Sequence, residues 1–321
     1  MDLTPTTQQQ QIVDAVRTLL ERHGAAARAK ALLATDGYDH DLDARLDEAG
    51  FTDIATGEET GPVEAALVTL EIAKAAGMSA YAAGELVAPK LLGANPKIPV
   101  ALTRAPADFP IRLGRHAKLI LIDAGEEAEL LEVAAGDVEP VDTDQVGWPM
   151  GRLAPGALAR AKGLGPGSGA ILRRWWRLAL ALETVGTMQG ALDLTVGYVK
   201  TREQFGRPIG EFQTLQHRLS ELVVIVEGAR WLALEAAFRD ADPLNAATAA
   251  GRAAGAASLV ARECHQMHGA IGLTREYPLH LWTTRLGPLA VELGGPSAHR
   301  REAARLRFSP EEIGVREAYW R

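Results

Sequence analysis

The chain has 321 residues, 47% hydrophobic and 23% charged, with a formal net charge of −7. This is the composition of a folded globular protein with length for about two domains, and its acidic balance argues against a broad nucleic-acid surface, Arg173 and Arg174 being only a local basic pair. No apolar run approaches the roughly 18 residues of a membrane span, and a single cysteine, Cys264, excludes an internal disulfide or a cysteine-based zinc cluster.

Residues 1–11, MDLTPTTQQQQ, carry neither the basic nor the apolar region of a secretory signal, so the expected compartment is the cytoplasm. A reducing compartment suits Cys264, read as a small buried apolar residue. Helical patterns run over 8–23, 42–49, 61–76 and 79–92. In the third, Val63, Ala66, Leu67, Leu70 and Ile72 approximate a 3.6-residue stripe, and Pro62 suits a first turn. Together they predict an N-terminal helical domain, 1–95.

The period then changes. Short apolar runs at 98–102, 118–122 and 130–133, bounded by Gly, Pro and Asp, predict a reduced middle β domain over 96–169. Its last part, 157–169, ALARAKGLGPGSG, reads as a loop. Helical pattern returns at Ile171, where Leu178, Leu182, Val185, Leu192, Val196 and Val199 form a stripe that reaches Lys200. A second long helix starts near Glu211 and stops at Asp242-Pro243; a third, Ala- and Gly-rich, covers 244–268; a shorter helical tail covers 278–307. Residues 170–321 are expected to form a C-terminal helical bundle. The fold class is mainly α with a small β domain.

Two motifs go further. One is Thr201-Arg-Glu-Gln-Phe-Gly-Arg-Pro-Ile-Gly-Glu-Phe-Gln213, between the first two long helices; the other is Gln266-Met-His-Gly-Ala-Ile-Gly-Leu-Thr-Arg-Glu-Tyr-Pro278, after the third. Together they resemble the acyl-CoA dehydrogenase family, whose loop reads Arg-x-x-Phe-Gly-x-x-Ile-x-x-Phe-Gln. That family's later signature reads Gln-x-x-Gly-Gly-x-Gly, followed by an acidic residue, an aromatic and Pro. The resemblance implies an all-helical, small β, four-helix-bundle architecture and an FAD cofactor shared at a subunit interface. Arg202 offers a planar, permanently charged fork to the FAD pyrophosphate, and Phe205 a ring face to the cofactor. Phe212 and Gln213 complete that motif; Gln266, His268, Gly269 and Ala270 are the positions expected at the ADP half. Ala270 stands where the family has a second Gly. The plain alternatives are an interhelical loop with Arg202 paired to a surface acid, and a Gly-terminated helix end at Gly269.

Other family features are missing. The flavin-wrapping strand motif with its Gly-Ser pair corresponds here to Ala101-Leu-Thr-Arg-Ala-Pro-Ala-Asp108, and the Trp-Ile-Thr segment is absent. The two positions at which family members carry the catalytic glutamate correspond to Gly294 and Trp176, so no catalytic residue is expected in this chain. Pro296 stands where the Thr after the glutamate belongs. Glu292 lies nearby, but a two-residue shift on a helix turns a side chain about 200° away.

In the family a carboxylate removes the α-proton of an acyl-CoA thioester while the β-hydrogen passes to the flavin as hydride; the base must be positioned within reach. The motifs kept here are those that reach a neighbour's FAD, and those lost serve a chain's own. The chain therefore resembles the short, base-less subunit of the heterotetrameric (α2β2) acyl-CoA dehydrogenases of bacterial steroid side-chain degradation. That resemblance implies a homologous partner subunit bearing the catalytic Glu, an acyl-CoA substrate, an electron-transfer flavoprotein as acceptor, and neither nucleic acid nor membrane as partner. The alternatives are a self-sufficient flavoenzyme with an unusual base and a flavin-free scaffold on the same fold.

Overall fold

The computed structural model describes residues 5–35, 37–141 and 147–308. Helix α1 (Thr7–His23) starts where the Thr6 hydroxyl accepts the Gln9 N–H at 3.2 Å and the Gln9 side chain accepts the Thr6 N–H at 2.9 Å; Gly24, at φ 67°, ends it. The chain turns at once into α2 (Ala25–Ala34), which the sequence reading passed over because its Ala-rich run shows only a weak apolar stripe. Helices α3 (His40–Glu48) and α4 (Pro62–Lys74) overlap predicted segments.

The single helix expected over 79–92 is instead a π-helical turn (Ala83–Val87) followed by α5 (Pro89–Leu92). Pro89 has no N–H to continue the α pattern, and the Ala88 N–H reaches back five residues to the Ala83 carbonyl at 2.9 Å. Within this turn the fully buried Glu85 accepts the Asp53 and Ala55 N–H groups and the Asn95 amide.

Among the described residues seven strands follow: β1 (Val100–Arg104), β2 (Ile111–Arg112), β3 (Leu119–Asp123), β4 (Glu127–Glu132), β5 (Val138–Val141), β6 (Met150–Leu153) and β7 (Lys162–Pro166). One sheet has the order β1-β3-β4-β7, with β1 and β3 parallel and the other pairs antiparallel; the second has the order β2-β6-β5. Val100, Leu102 and Leu121 join the main core, while Ala101, Ile120 and Ile122 join a smaller core with Ile111 and Leu131, which is the two-residue period of a strand. The loop expected over 157–169 contains a 3-10 turn (Ala157–Arg160) and β7. Its glycines hide the strand in the sequence yet permit it: a Cβ at Gly163 would lie 2.7 Å from the Glu127 carboxylate, and Gly165 has φ 90°.

The bundle comprises α6 (Ser168–Thr201), α7 (Gln213–Phe238), α8 (Pro243–His268), α9 (His280–Val291) and α10 (Gly295–Arg307). Helix α6 therefore starts three residues before the expected Ile171, and a small hairpin, β8 (Glu203–Gln204) with β9 (Arg207–Pro208), joins it to α7. The tail expected as one helical stretch breaks at Leu293, Gly294 and Gly295, all at positive φ. Helix α6 is the central rod, packed along α4, α7, α8 and α9. Gly186 and Gly190 set its approach, since a Cβ would lie 2.4 Å from the Leu70 carbonyl oxygen at the first and 2.1 Å from Trp282 Nε1 at the second. Among the described residues, no helix is long and apolar enough to cross a membrane, and no group of three His, Cys, Asp or Glu side chains could hold a metal ion.

Candidate functional site

Trp176 and Glu183 stand seven residues apart on α6, two helical turns, so both leave the helix on the same side. Strand β2 carries Arg112 into the space beside them. Its two terminal nitrogens donate to the two Glu183 oxygens, each at 2.9 Å, and its Nε donates to Glu292 Oε1 at 2.7 Å. The second Glu292 oxygen accepts the Trp176 indole N–H at 2.8 Å. This network ties the β region, α6 and the turn after α9 together. Trp148 lies against both Arg112, at 5.0 Å, and Arg285, at 4.4 Å. The buried Arg285 guanidinium donates to the carbonyls of Gly147 and Gly77, each at 3.1 Å.

Two arginines face two glutamates here, so the cluster balances when all four are charged. Burial opposes the charge on Arg112, yet Glu183 and Glu292 raise its pKa above the usual arginine value. Burial also pushes the Glu183 carboxyl up, against the pull of Arg112; the two-point guanidinium contact is that of a carboxylate, and we read the pair as ionised. Burial, then repulsion from Arg112, lowers Arg285 to about 9.

The cavity lined by Arg112, Glu183, Glu292, Ala80, Leu102 and Ala179 measures about 10 Å³, room for a water molecule. A pocket for a small ligand takes about 300–1,000 Å³. The space beside this ion pair is therefore water-sized. Trp176 is buried and engaged with Glu292; Gly294 is in the left-handed region, at φ 87°, where a Cβ would meet the Ala298 Cβ at 2.9 Å. One expectation needs correcting: Glu292 is not rotated away by helix geometry. Helix α9 ends at Val291, and Glu292 turns inward to the ion pair.

The two sequence motifs meet at the opposite kind of surface, exposed and lined by backbone turns. Arg202 caps the C-terminus of α6; its N–H donates to the Tyr198 carbonyl at 2.8 Å and its own carbonyl accepts the Ile209 N–H at 2.8 Å, closing the hairpin. Its side chain is exposed, and no carboxylate among the described residues pairs with it. Phe205, at φ 55°, is 92% exposed and sits edge-on to Phe212 at 6.0 Å, while the Arg207 guanidinium covers Phe212 at 4.3 Å. Gln213, the first residue of α7, is exposed.

At the end of α8, Gln266, Gly269 and Ala270 are exposed; Gly269 adopts φ 64°, ψ −144°, a conformation suited to glycine. Ala270 is absent from the positive-φ residues and lies in a 3-10 turn (Gly269–Leu273), so the missing second glycine is not a backbone necessity. His268 differs from its neighbours. Its side chain is buried, stacked on Tyr198 at 4.4 Å and tilted against Tyr277 at 4.9 Å, so what it offers the surface is backbone. This stack joins the ends of α6 and α8. Cys264, one turn earlier, is buried, and burial raises its thiol to about 11, as suits a packing residue.

Residues 174–304 match the family description "Acyl-CoA dehydrogenase, C-terminal domain". Over 315 residues the chain is 31% identical to the acyl-CoA dehydrogenase IpdE2 of Mycobacterium tuberculosis, covering 92% of this chain and 95% of that protein. The chain belongs to the acyl-CoA dehydrogenase family. Solved structures agree at the level of fold. The ChsE4–ChsE5 complex from Mycobacterium tuberculosis matches with a TM-score of 0.78 at 24% identity over 99% of this chain and 100% of that one. A variant of the Tcur3481–Tcur3483 steroid acyl-CoA dehydrogenase matches at 0.80 and 21% identity, over 97% and 100%.

Arg112, Trp148, Glu183 and Arg285 were not visible in the sequence as members of one cluster. One signal was available: Glu183 interrupts the apolar face of α6 within LALALETVG, and a carboxylate on a buried helix face calls for a buried cation. Nothing in the two-residue strand β2 marked Arg112 as that cation.

Proposed function

We propose that this chain is a subunit of a hetero-oligomeric, FAD-dependent acyl-CoA dehydrogenase, in which a homologous partner carries the catalytic Glu and most of the FAD site. One observation carries the reading: neither family base position holds a carboxylate, and Glu292, the acid nearest Gly294, is engaged by Trp176 and by Arg112, which also holds Glu183. The Arg202 and Gly269 segments meanwhile stand exposed at one end of the bundle. When bound, FAD supplies the hydride acceptor for α,β-dehydrogenation of the thioester. This chain's part is to bind and orient it across the interface. Arg202 presents its fork to the pyrophosphate, Phe205 and Phe212 an aromatic edge, and Gln213, Gln266 and the backbone from His268 to Ala270 hydrogen-bonding groups to the ADP half.

The match to solved complexes of two named chains supports a homologous partner, although the likeness itself is one of fold. By the family resemblance the substrate is an acyl-CoA and the acceptor an electron-transfer flavoprotein; the compartment proposed is the cytoplasm. The units proposed are a helical domain over 1–95, a reduced β domain over 96–169 and a bundle over 170–321. The test is the visible spectrum and acyl-CoA turnover of the chain purified alone and co-expressed with its partner. We expect a colourless, inactive chain and a yellow, active complex; a yellow chain that turns over acyl-CoA alone would overturn the reading.

A further inference from the structure

The two exposed segments come from ends of different helices, and something must fix their spacing if both are to meet one cofactor. Tyr198 stands one helical turn before Arg202 on α6, and its backbone carbonyl accepts the Arg202 N–H at 2.8 Å. Its ring stacks on His268 at 4.4 Å with 23° between planes and meets Tyr277 edge-on at 5.5 Å. Its hydroxyl donates to the His268 carbonyl over a long 3.4 Å. His268 immediately precedes Gly269, and its Nδ1 is tied to the Cys264 carbonyl at 2.8 Å, which holds the imidazole plane in place for the stack.

A Cβ at Gly272 would lie 2.7 Å from the His268 Cβ, so the 3-10 turn folds tightly back over this histidine. The aromatic trio thus sits beneath both segments and touches each through one bonded neighbour.

Resting on the proposed function, we propose that Tyr198 is a positioning residue for the shared FAD: it acts through ring stacking on His268 to hold the Arg202 hairpin and the Gly269–Leu273 turn in one register. Tyr198 is half-buried, and its ring faces His268 and Tyr277. Because the hydroxyl contact is long and the rings are close, the ring carries the effect. Tyr198→Phe keeps the stack and Tyr198→Leu removes it.

The experiment measures FAD affinity and the flavin absorption spectrum of the assembled complex for Tyr198→Phe, Tyr198→Leu, Arg202→Ala and the Leu/Ala double variant. Hydrogen exchange of the isolated chain is followed in parallel. Tyr198→Phe is expected to bind FAD within about threefold of wild type, and Tyr198→Leu about tenfold more weakly. In the isolated Tyr198→Leu chain, amides of both 203–212 and 269–274 should exchange faster, and the double variant should lose less than the two single losses multiplied. A residue that only fills space would lower the melting temperature while leaving FAD affinity unchanged, or would multiply with Arg202→Ala; either result overturns the inference. If Tyr198→Leu speeds exchange in only one segment, the register claim fails. If instead Arg202→Ala leaves FAD affinity untouched, it is the shared-cofactor reading that falls.

Discussion

The Trp176 indole donates to Glu292 across 2.8 Å, so one family base position is tied to the carboxylate that stands two residues before the other, Gly294. Arg112 completes the closure by holding Glu292 and Glu183 at once. Glu292, the carboxylate nearest Gly294, is thereby held in a part-buried contact with Arg112.

Glu292→Gln should leave the chemical step of the assembled complex nearly unchanged, where loss of a true general base costs about 10²–10⁴ in rate. The same change removes a charged partner from Arg112 while Glu183 still holds it, so the chain should lose about 1–3 kcal/mol of stability. Single-turnover kinetics of the complex beside thermal unfolding of the chain separates the two effects. A rate collapse with unchanged stability would make Glu292 the base.

Installing a carboxylate at the family position should not create an enzyme. Gly294 has φ 87° and a Cβ there would lie 2.9 Å from the Ala298 Cβ. Gly294→Glu is expected to cost about 1–3 kcal/mol through backbone strain and to leave the isolated chain without acyl-CoA turnover, because Trp176, Glu292 and Arg112 still fill the neighbouring space. Unfolding midpoints and a dye-reduction assay with added FAD check both halves.

The buried His299 gives a pH signature. Burial, then the nearby Arg177 guanidinium on α6, lowers it from 6.5 to about 4, although a hydrogen bond with the backbone of Glu292 works the other way. A histidine depressed in the fold favours the folded state while neutral. Its contribution is complete above about pH 6.5 and is lost as pH falls toward 4, amounting to up to about 3 kcal/mol. Unfolding measured between pH 7 and 4 should show this loss, and His299→Gln should flatten the curve; an unchanged slope would remove His299 from the acid lability.

Much of the architecture was legible because it rests on local pattern. The stripe from Leu178 to Val199 gave α6, and Asp242-Pro243 marked the break before α8. What escaped was set by contacts distant in sequence. Strand β7 is disguised by Gly163, where a Cβ would crowd the Glu127 carboxylate, and by Gly165, which adopts φ 90°. The π turn at Ala83–Val87 follows from Pro89 and accompanies a buried acid, Glu85, that reaches back to Asp53 and Ala55. The same limit explains the site: Arg112 and Glu183 are 71 residues apart, and no spacing rule joins them. The Arg202 and Gly269 motifs were visible as motifs, whereas their meeting through Tyr198 and His268 required the fold.

The most direct test of a shared cofactor is the FAD-to-protein ratio of the assembled complex carrying Arg202→Ala. Arg202 is exposed and without a carboxylate partner among the described residues. If its guanidinium meets the pyrophosphate of FAD held by the partner, its removal takes away a charge-assisted contact of about 1.5–3 kcal/mol, a roughly ten- to hundredfold loss in FAD affinity. Arg202→Lys should restore only part, keeping the charge without the planar fork. A pale or easily stripped complex is expected for Arg202→Ala; full flavin occupancy with unchanged affinity would contradict a shared cofactor.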